Sequence, residues 1–304
     1  MRFDAAPPIT GRNAAPDFAL PILVLLAGMV SIQSGAALAK GLFPVIGAAG
    51  VTTLRVGFSA LILLAVWRPW RRSVERGEIG AIALYGAALG LMNLLFYLSL
   101  RTITLGIAVA IEFTGPLAVA LAGSRRARDF AWIGLAVLGL GLLLPLGETS
   151  TLDPTGAALA LGAGLCWAAY IVFGQRAGRA GGGRAVSLGM LIAALVVAPV
   201  GLVEAGTDLF TPATLTTGLV IAVLSSALPY SLEMFALTRL PRPAFGVLMS
   251  LEPAVASVAA LALLGERLSP VRGGAIACIV AASAGITLAN RKSGSRKRES
   301  NDVG

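Results

Sequence analysis

LYGAALGLMNLLFYLSLRTITLGIAVAIEFTGPLAVAL, residues 84–121, and AVLSSALPYSLEMFALTRLPRPAFGVLMSLEPAVASVAAL, residues 222–261, carry one apolar pattern written twice. With Pro116 laid on Pro253, Leu98 falls on Phe235. Each stretch holds two apolar runs. A helix needs about 20 mostly apolar residues to cross a bilayer. Both stretches therefore read as a pair of spanning helices. A weaker echo, Ala27-Gly28 against Ala163-Gly164, ties an earlier run in each half together.

Working outward, ten such runs are present: 20–39, 45–67, 79–99, 104–122, 130–146, 155–174, 186–204, 214–237, 244–264 and 271–290. Gly and Pro mark the joins, among them Pro44, Pro69, Gly123, Pro154, Gly181-Gly182-Gly183, Pro212, Pro241, Pro243 and Pro270. The expected fold is all-α and polytopic, with ten transmembrane helices. It divides into a cytoplasmic N-terminal segment (1–19), two five-helix repeats (20–150 and 155–290) and a basic cytoplasmic tail (291–304). Five is odd, so the repeats enter the membrane in opposite senses. That is the inverted-repeat plan of many secondary transporters, which hold solute near the midplane between repeats. Glycines such as Gly86, Gly90, Gly134, Gly139, Gly162, Gly164 and Gly274 are expected to let helices approach closely.

Composition agrees. Of 304 residues, 57% are hydrophobic and 13% charged, against about 25% charge in an ordinary soluble domain. Mean hydropathy is +0.85. The net charge of +9 does not mark a nucleic-acid partner, because the basic residues sit in connectors and the tail. With the N-terminus inside, the cytoplasmic segments hold 19 Lys and Arg, the outer segments 4, and one, Arg55, lies within a run. This asymmetry predicts N-in, C-in. Ala37-Leu38-Ala39 has the small-residue form of a signal cleavage site, but the first run is long for that role and reads as a retained helix. Cys166 and Cys278 lie in apolar runs and read as small buried hydrophobes. There is no His, and every Asp lies outside the runs. No metal site, cofactor site, H-E-x-x-H or G-x-x-x-x-G-K-[ST] string is present, so neither an enzyme nor an ATP-driven pump is indicated.

A charge at the bilayer centre costs about 2.5–3.5 kcal/mol on insertion scales and marks a functional candidate. Arg55, Glu112 and Glu252 lie near the centres of their runs, and Glu233 nearer a cytoplasmic end. Glu112 aligns with Met249, and Glu252 with Gly115; one helical turn separates the two positions, so they share a face. Pro116, Pro229 and Pro253 each lack the amide that would bond the carbonyl four residues back. These three are the expected helix breaks, freeing the carbonyls of Glu112, Ser225 and Met249. Gln33, Asn93, Tyr97, Trp167, Tyr170 and Tyr230 are the polar and aromatic neighbours expected around a central cavity. Ser31, Ser34, Thr114, Ser225, Ser226 and Ser250 lie on the same runs. Such a cavity suits a zwitterionic amino acid, guanidinium for carboxylate and glutamate for ammonium. Without His, a coupled proton falls to a glutamate. The plain alternative is an Arg55–glutamate pair that only ties helices together.

These residues resemble a known family. The two five-helix halves look like the EamA domains of the drug/metabolite transporter superfamily, and Pro253–Leu268, P-A-V-A-S…G-E-R-L, is similar to its signature. SIQSGAALAKGLFP (31–44), AIEFTGPLAVAL (110–121), LALGAGLCWAAYI (159–171), GQRAG (174–178) and LPYSLEMFALTRLP (228–241) are similar to the branch of bacterial inner-membrane threonine/homoserine exporters. The resemblance implies efflux of L-threonine and L-homoserine driven by protons, in a multi-pass inner-membrane protein. Ten spans are enough for a self-contained core, so a monomer or a homodimer is expected. The first half departs from the general pattern, reading Gly123-Ser124-Arg125 where a G-E pair would stand. The alternatives are export of another small polar cargo, such as a purine, cysteine metabolite or amino-acid analogue, and a scaffold that transports nothing.

Overall fold

The computed structural model describes residues 19–71, 75–103, 105–123, 127–143, 153–179 and 181–241, then 245, 248–249, 251–252, 255, 258, 270–271, 273–275, 277–278 and 281–282. The terminal segments, most of the runs expected at 244–264 and 271–290, and Ser250, Pro253 and Glu266 lie outside the described residues. Among the described residues every regular element is a helix. They are α1 (Ala19–Lys40), α2 (Phe43–Trp67), α3 (Arg76–Ser99), α4 (Leu105–Glu112), α5 (Thr114–Gly123), α6 (Ala127–Leu143), α7 (Pro154–Arg179), α8 (Gly182–Ala205), α9 (Pro212–Ala222) and α10 (Leu228–Leu237). Six helical segments among the described residues are long and apolar enough to cross a membrane.

Two runs are not continuous α-helices. The run expected at 104–122 stops at Glu112 and restarts at Thr114, with Phe113 between. The cause is local. Pro116 offers no amide to the Glu112 carbonyl. The Thr114 hydroxyl donates to the Ile111 carbonyl instead, at 2.7 Å. The run expected at 214–237 holds a π-helical turn, Val223–Ala227, between α9 and α10. Pro229 lies just beyond it. A π-turn widens the helix and loosens its hold on its own carbonyls.

The helices pack in crossed pairs. α2 lies along α8, and α3 lies against α7 and α8. α1 lies against α10 and the π-turn, while α4 and α5 lie against α7. Gly86 and Gly90 on α3 allow the close approach of α8. A Cβ on Gly86 would stand 2.6 Å from the Gly189 carbonyl oxygen, and one on Gly90 2.8 Å from the Ala193 Cα. Gly134 and Gly274, expected to play the same part, have no atom within 4 Å of such a Cβ among the described residues. Large apolar side chains cover the perimeter, with Leu165 75% and Val203 88% exposed. A bilayer accepts such a rim where water would not.

At one end of the bundle the halves are tied by polar contacts. Gly47 interrupts α2 at φ 67° and ψ 176°, a region open essentially only to Gly. The interruption exposes the next amides, and Ala49 N–H donates to Glu204 Oε2 on α8 at 3.1 Å. Arg101, beyond α3, closes an ion pair with Glu204 Oε1. Nearby, Asp153 accepts from the Gly156 amide at the start of α7, at 2.9 Å. The Thr102 hydroxyl, then the Gly156 amide, hold the Asp153 carboxyl below its usual range.

Gly47→Ala would meet both the forbidden backbone region and the Glu204 carboxylate, and is expected to cost about 1–3 kcal/mol. Gly57→Ala, further along α2 with open space around it among the described residues, should be neutral or gain up to about 1 kcal/mol. Thermal unfolding of the purified protein in detergent, followed by size exclusion, checks the contrast.

Candidate functional site

The site begins with Arg55, midway along α2 and 2% exposed. A guanidinium at this depth needs acceptors. The break at the π-turn and Pro229 supplies one: Nη1 donates to the Ser225 carbonyl at 3.3 Å. Nη2 donates to Asn93 Oδ1 on α3. The Tyr97 ring lies beneath, 4.7 Å from centroid to guanidinium carbon, adding a cation–π contact. The same widened turn takes two further donors. Ser31 Oγ on α1 donates to the Leu224 carbonyl at 2.6 Å, and Ser59 Oγ on α2 to the Ala222 carbonyl at 2.9 Å.

Asn93 is held in turn. Its Nδ2 donates to the Leu89 carbonyl at 2.8 Å and to the Tyr230 hydroxyl at 3.0 Å. The Tyr230 oxygen also lies 3.1 Å from Asn93 Oδ1. Asn93 and Tyr230 are matched positions when Pro116 is laid on Pro253. The Arg55–glutamate pair held open as the plain alternative is not seen among the described residues. Among the described residues Arg55 takes no carboxylate within ion-pair distance, because the freed carbonyl and the Asn93 amide hold its two terminal nitrogens.

A cavity of about 80 Å³ opens beside this network. One water needs about 10–15 Å³ by the same measure, so the space holds several waters or a small solute. Gln33, Arg55, Asn93, Tyr97, Glu112, Trp167, Tyr230, Glu233 and Glu252 line it. Tyr170 does not line it, but its hydroxyl donates to Glu233 Oε2 at 2.8 Å from the layer behind. Glu233, expected near a cytoplasmic end, is 3% exposed and faces the cavity with the others. Glu112 and Glu252 are 7% and 9% exposed. The apolar lining, Ile32, Ala36, Met92, Phe96 and Val109, went unread in the sequence because apolar residues in an apolar run carry no signal.

Two glycines shape one wall. A Cβ on Gly164 of α7 would stand 2.6 Å from the Glu112 carbonyl oxygen, and Gly115 of α5 meets the Gly164 carbonyl with no room for a side chain. α7 therefore crosses the α4–α5 break backbone to backbone. Phe113, in the break, packs edge-on against Trp167 at 5.8 Å.

The description "EamA-like transporter family" matches residues 154–288. "Threonine/homoserine exporter RhtA" of Escherichia coli (strain K12) is 56% identical over 274 residues, covering 90% of this chain and 93% of that protein. This chain belongs to the EamA-like transporter family. The protein of the same name from Salmonella typhimurium (strain LT2) is 58% identical over the same shares. "Uncharacterized transporter YwfM" of Bacillus subtilis (strain 168) is 29% identical, covering 80% of this chain and 84% of that protein. A solved crystal structure superposes with a TM-score of 0.74 over 90% of this chain and 98% of its own, at 16% identity, which shows a shared fold. In this transporter the polar groups gathered around Arg55 are thus set inside a membrane-spanning fold.

Tyr230→Phe removes the neutral hydrogen bonding between the Tyr230 hydroxyl and the Asn93 amide and is expected to cost about 0.6 kcal/mol, the average for a neutral interaction of this kind in membranes. Asn93→Ala strips the buried Arg55 of a partner and should cost more, about 1–3 kcal/mol. Chemical or thermal unfolding in detergent, run as a double-mutant cycle, checks the order and the coupling.

Proposed function

We propose that this protein is a secondary active transporter that exports L-threonine, L-homoserine and similar small polar amino acids from the cytoplasm across the bacterial inner membrane by proton antiport. The observation that carries this reading is 56–58% identity, across 90% of the chain, to transporters named for threonine and homoserine export. The cavity supports it with a guanidinium, three carboxylates and hydrogen-bonding aromatics around a volume suited to a small solute. The chain has no histidine, so the coupled proton is assigned to a glutamate, first to Glu112 beside the α4–α5 break. Gln33, Arg55, Asn93, Tyr97, Trp167, Tyr170, Tyr230, Glu233 and Glu252 complete the substrate and coupling site, with Pro116, Pro229 and Pro253 as its helix breaks. Asn93, Tyr170 and Tyr230 act within it as positioning residues. Protons, the amino acid and the bilayer are its partners. The protein acts as a monomer or a homodimer.

The architecture belonging to this reading is ten helices in two inverted repeats, 20–150 and 155–290, with both termini inside. Reciprocal packing supports it. α3 lies on α7 as the π-turn and α10 lie on α1, and α3 lies on α8 as α9 lies on α2. Swapping the halves exchanges these pairs, as a two-fold relation requires.

Two measurements bear on these assignments. Cells preloaded with radiolabelled threonine or homoserine should export both with the wild type. A protonophore should stop export, and Glu112→Gln should reach the membrane yet lose at least about tenfold in rate, as loss of a positioned proton carrier commonly does. Wild type that exports neither sinks the cargo assignment. For orientation, cysteines are placed singly in a chain lacking Cys166 and Cys278. An impermeant maleimide should label Thr207→Cys in intact cells and leave Arg179→Cys unlabelled until the membrane is opened.

A further inference from the structure

We propose that the cavity is a two-ended clamp for the head of an α-amino acid, with the Arg55 Nε–H taking its carboxylate and the Glu252 carboxylate taking its ammonium. The inference rests on the exporter reading and adds which of the charged groups are left without a partner for the solute to supply.

Glu112 is given to the proton above, and the other three charged groups are not equally committed. Arg55 uses Nη1 on the Ser225 carbonyl and Nη2 on Asn93, while its Nε is buried with no partner among the described residues. Glu233 accepts from Tyr170. Glu252 Oε2 is buried and, among the described residues, has no partner. Arg55 and Glu252 line the same cavity with opposite charges, yet they do not pair within ion-pair distance among the described residues. A buried charge left without a partner is costly. The Asn93–Ser225 fork holds the guanidinium in place, so Arg55 cannot move to Glu252 without abandoning two bonds.

A ligand that satisfies both must bring an acceptor and a donor together. A simple cation answers Glu252 alone, and a simple anion answers Arg55 alone. An α-amino acid carries carboxylate and ammonium on one carbon and answers both. Arg55 stands on α2 in the first half of the chain, and Glu252 lies beyond α10 in the second. The bound head group therefore joins the halves through charge-assisted bonds. The side chain is left to the apolar wall at Met92, Phe96 and Val109, which bears on size more than on charge.

The test uses the purified full chain in proteoliposomes loaded with radiolabelled L-threonine. Competitors are L-homoserine, L-threoninamide, which lacks the carboxylate, and N-acetyl-L-threonine, which lacks the ammonium. Homoserine should compete, and both blocked analogues should be weaker by at least about tenfold, as expected when a built polar site meets an analogue without its partner. Glu252→Gln should weaken threonine and erase the handicap of the N-acetyl analogue, while leaving that of the amide. Arg55→Gln should do the reverse. Glu252→Asp, which keeps the charge, should restore the handicap if Glu252→Gln proves hard to fold. If wild type transports threonine and the N-acetyl analogue competes as well as homoserine, the clamp is overturned and the exporter reading stands. The clamp is also overturned if Glu233→Gln or Glu112→Gln, and not Glu252→Gln, erases that handicap. Wild type that moves neither amino acid overturns the exporter reading and the clamp with it.

Discussion

The bond from Arg55 to the Ser225 carbonyl organises the centre of the molecule. A guanidinium deep in a bilayer is unstable without acceptors, and helices do not ordinarily offer them. Here the π-turn at Val223–Ala227 and the missing amide of Pro229 loosen a stretch of backbone where Arg55 needs an acceptor. Ser31 and Ser59 take the neighbouring carbonyls. The widened turn is thus satisfied by donors from α1 and α2, and irregular backbone at this depth becomes tolerable because protein surrounds it. Asn93 fixes the other side of the guanidinium, and Tyr230 fixes Asn93. Remove the carbonyl, and the chain of contacts from the π-turn through α2 and α3 to α10 loses its anchor.

Much of this was legible from residue type alone. A polar or charged side chain inside an apolar run is costly, so Gln33, Arg55, Asn93, Glu112 and Glu252 announced themselves, and all line the cavity. Proline spacing pointed to the Ser225 carbonyl. Nothing in the composition told which donor would reach it, and the arginine–glutamate pair held open as the plain alternative is not seen among the described residues. The reason is physical. Pairing preferences are set by which acceptor a rigid network places within reach, and that is a property of three packed helices together. Tyr170 was named with the lining residues but stands one layer back, because helical spacing gives a face and not a depth.

The Gly47 interruption was silent for a related reason. Gly47 sits in a run rich in small residues, and only its backbone angles mark it out. Glu204 and Arg101 lie at run ends, where charges are ordinary. Their meaning comes from meeting each other and the Ala49 amide across the two halves. The paired stretches, by contrast, were visible at once, since their apolar runs recur at one offset that lays Pro116 on Pro253. The contact between Asn93 and Tyr230 gives that repetition a physical meeting point.

The crossing of α7 over the α4–α5 break limits how the cavity can change over evolutionary time. At most packed positions a bulkier side chain on one helix can be offset by a smaller one on its neighbour. Gly164 and Gly115 leave no such exchange, because each faces main chain that no substitution can trim. That wall is closed to stepwise variation. A lineage that altered its cargo would have to write the change elsewhere in the lining, where Met92, Phe96 and Ile32 present side chains that can be traded one at a time.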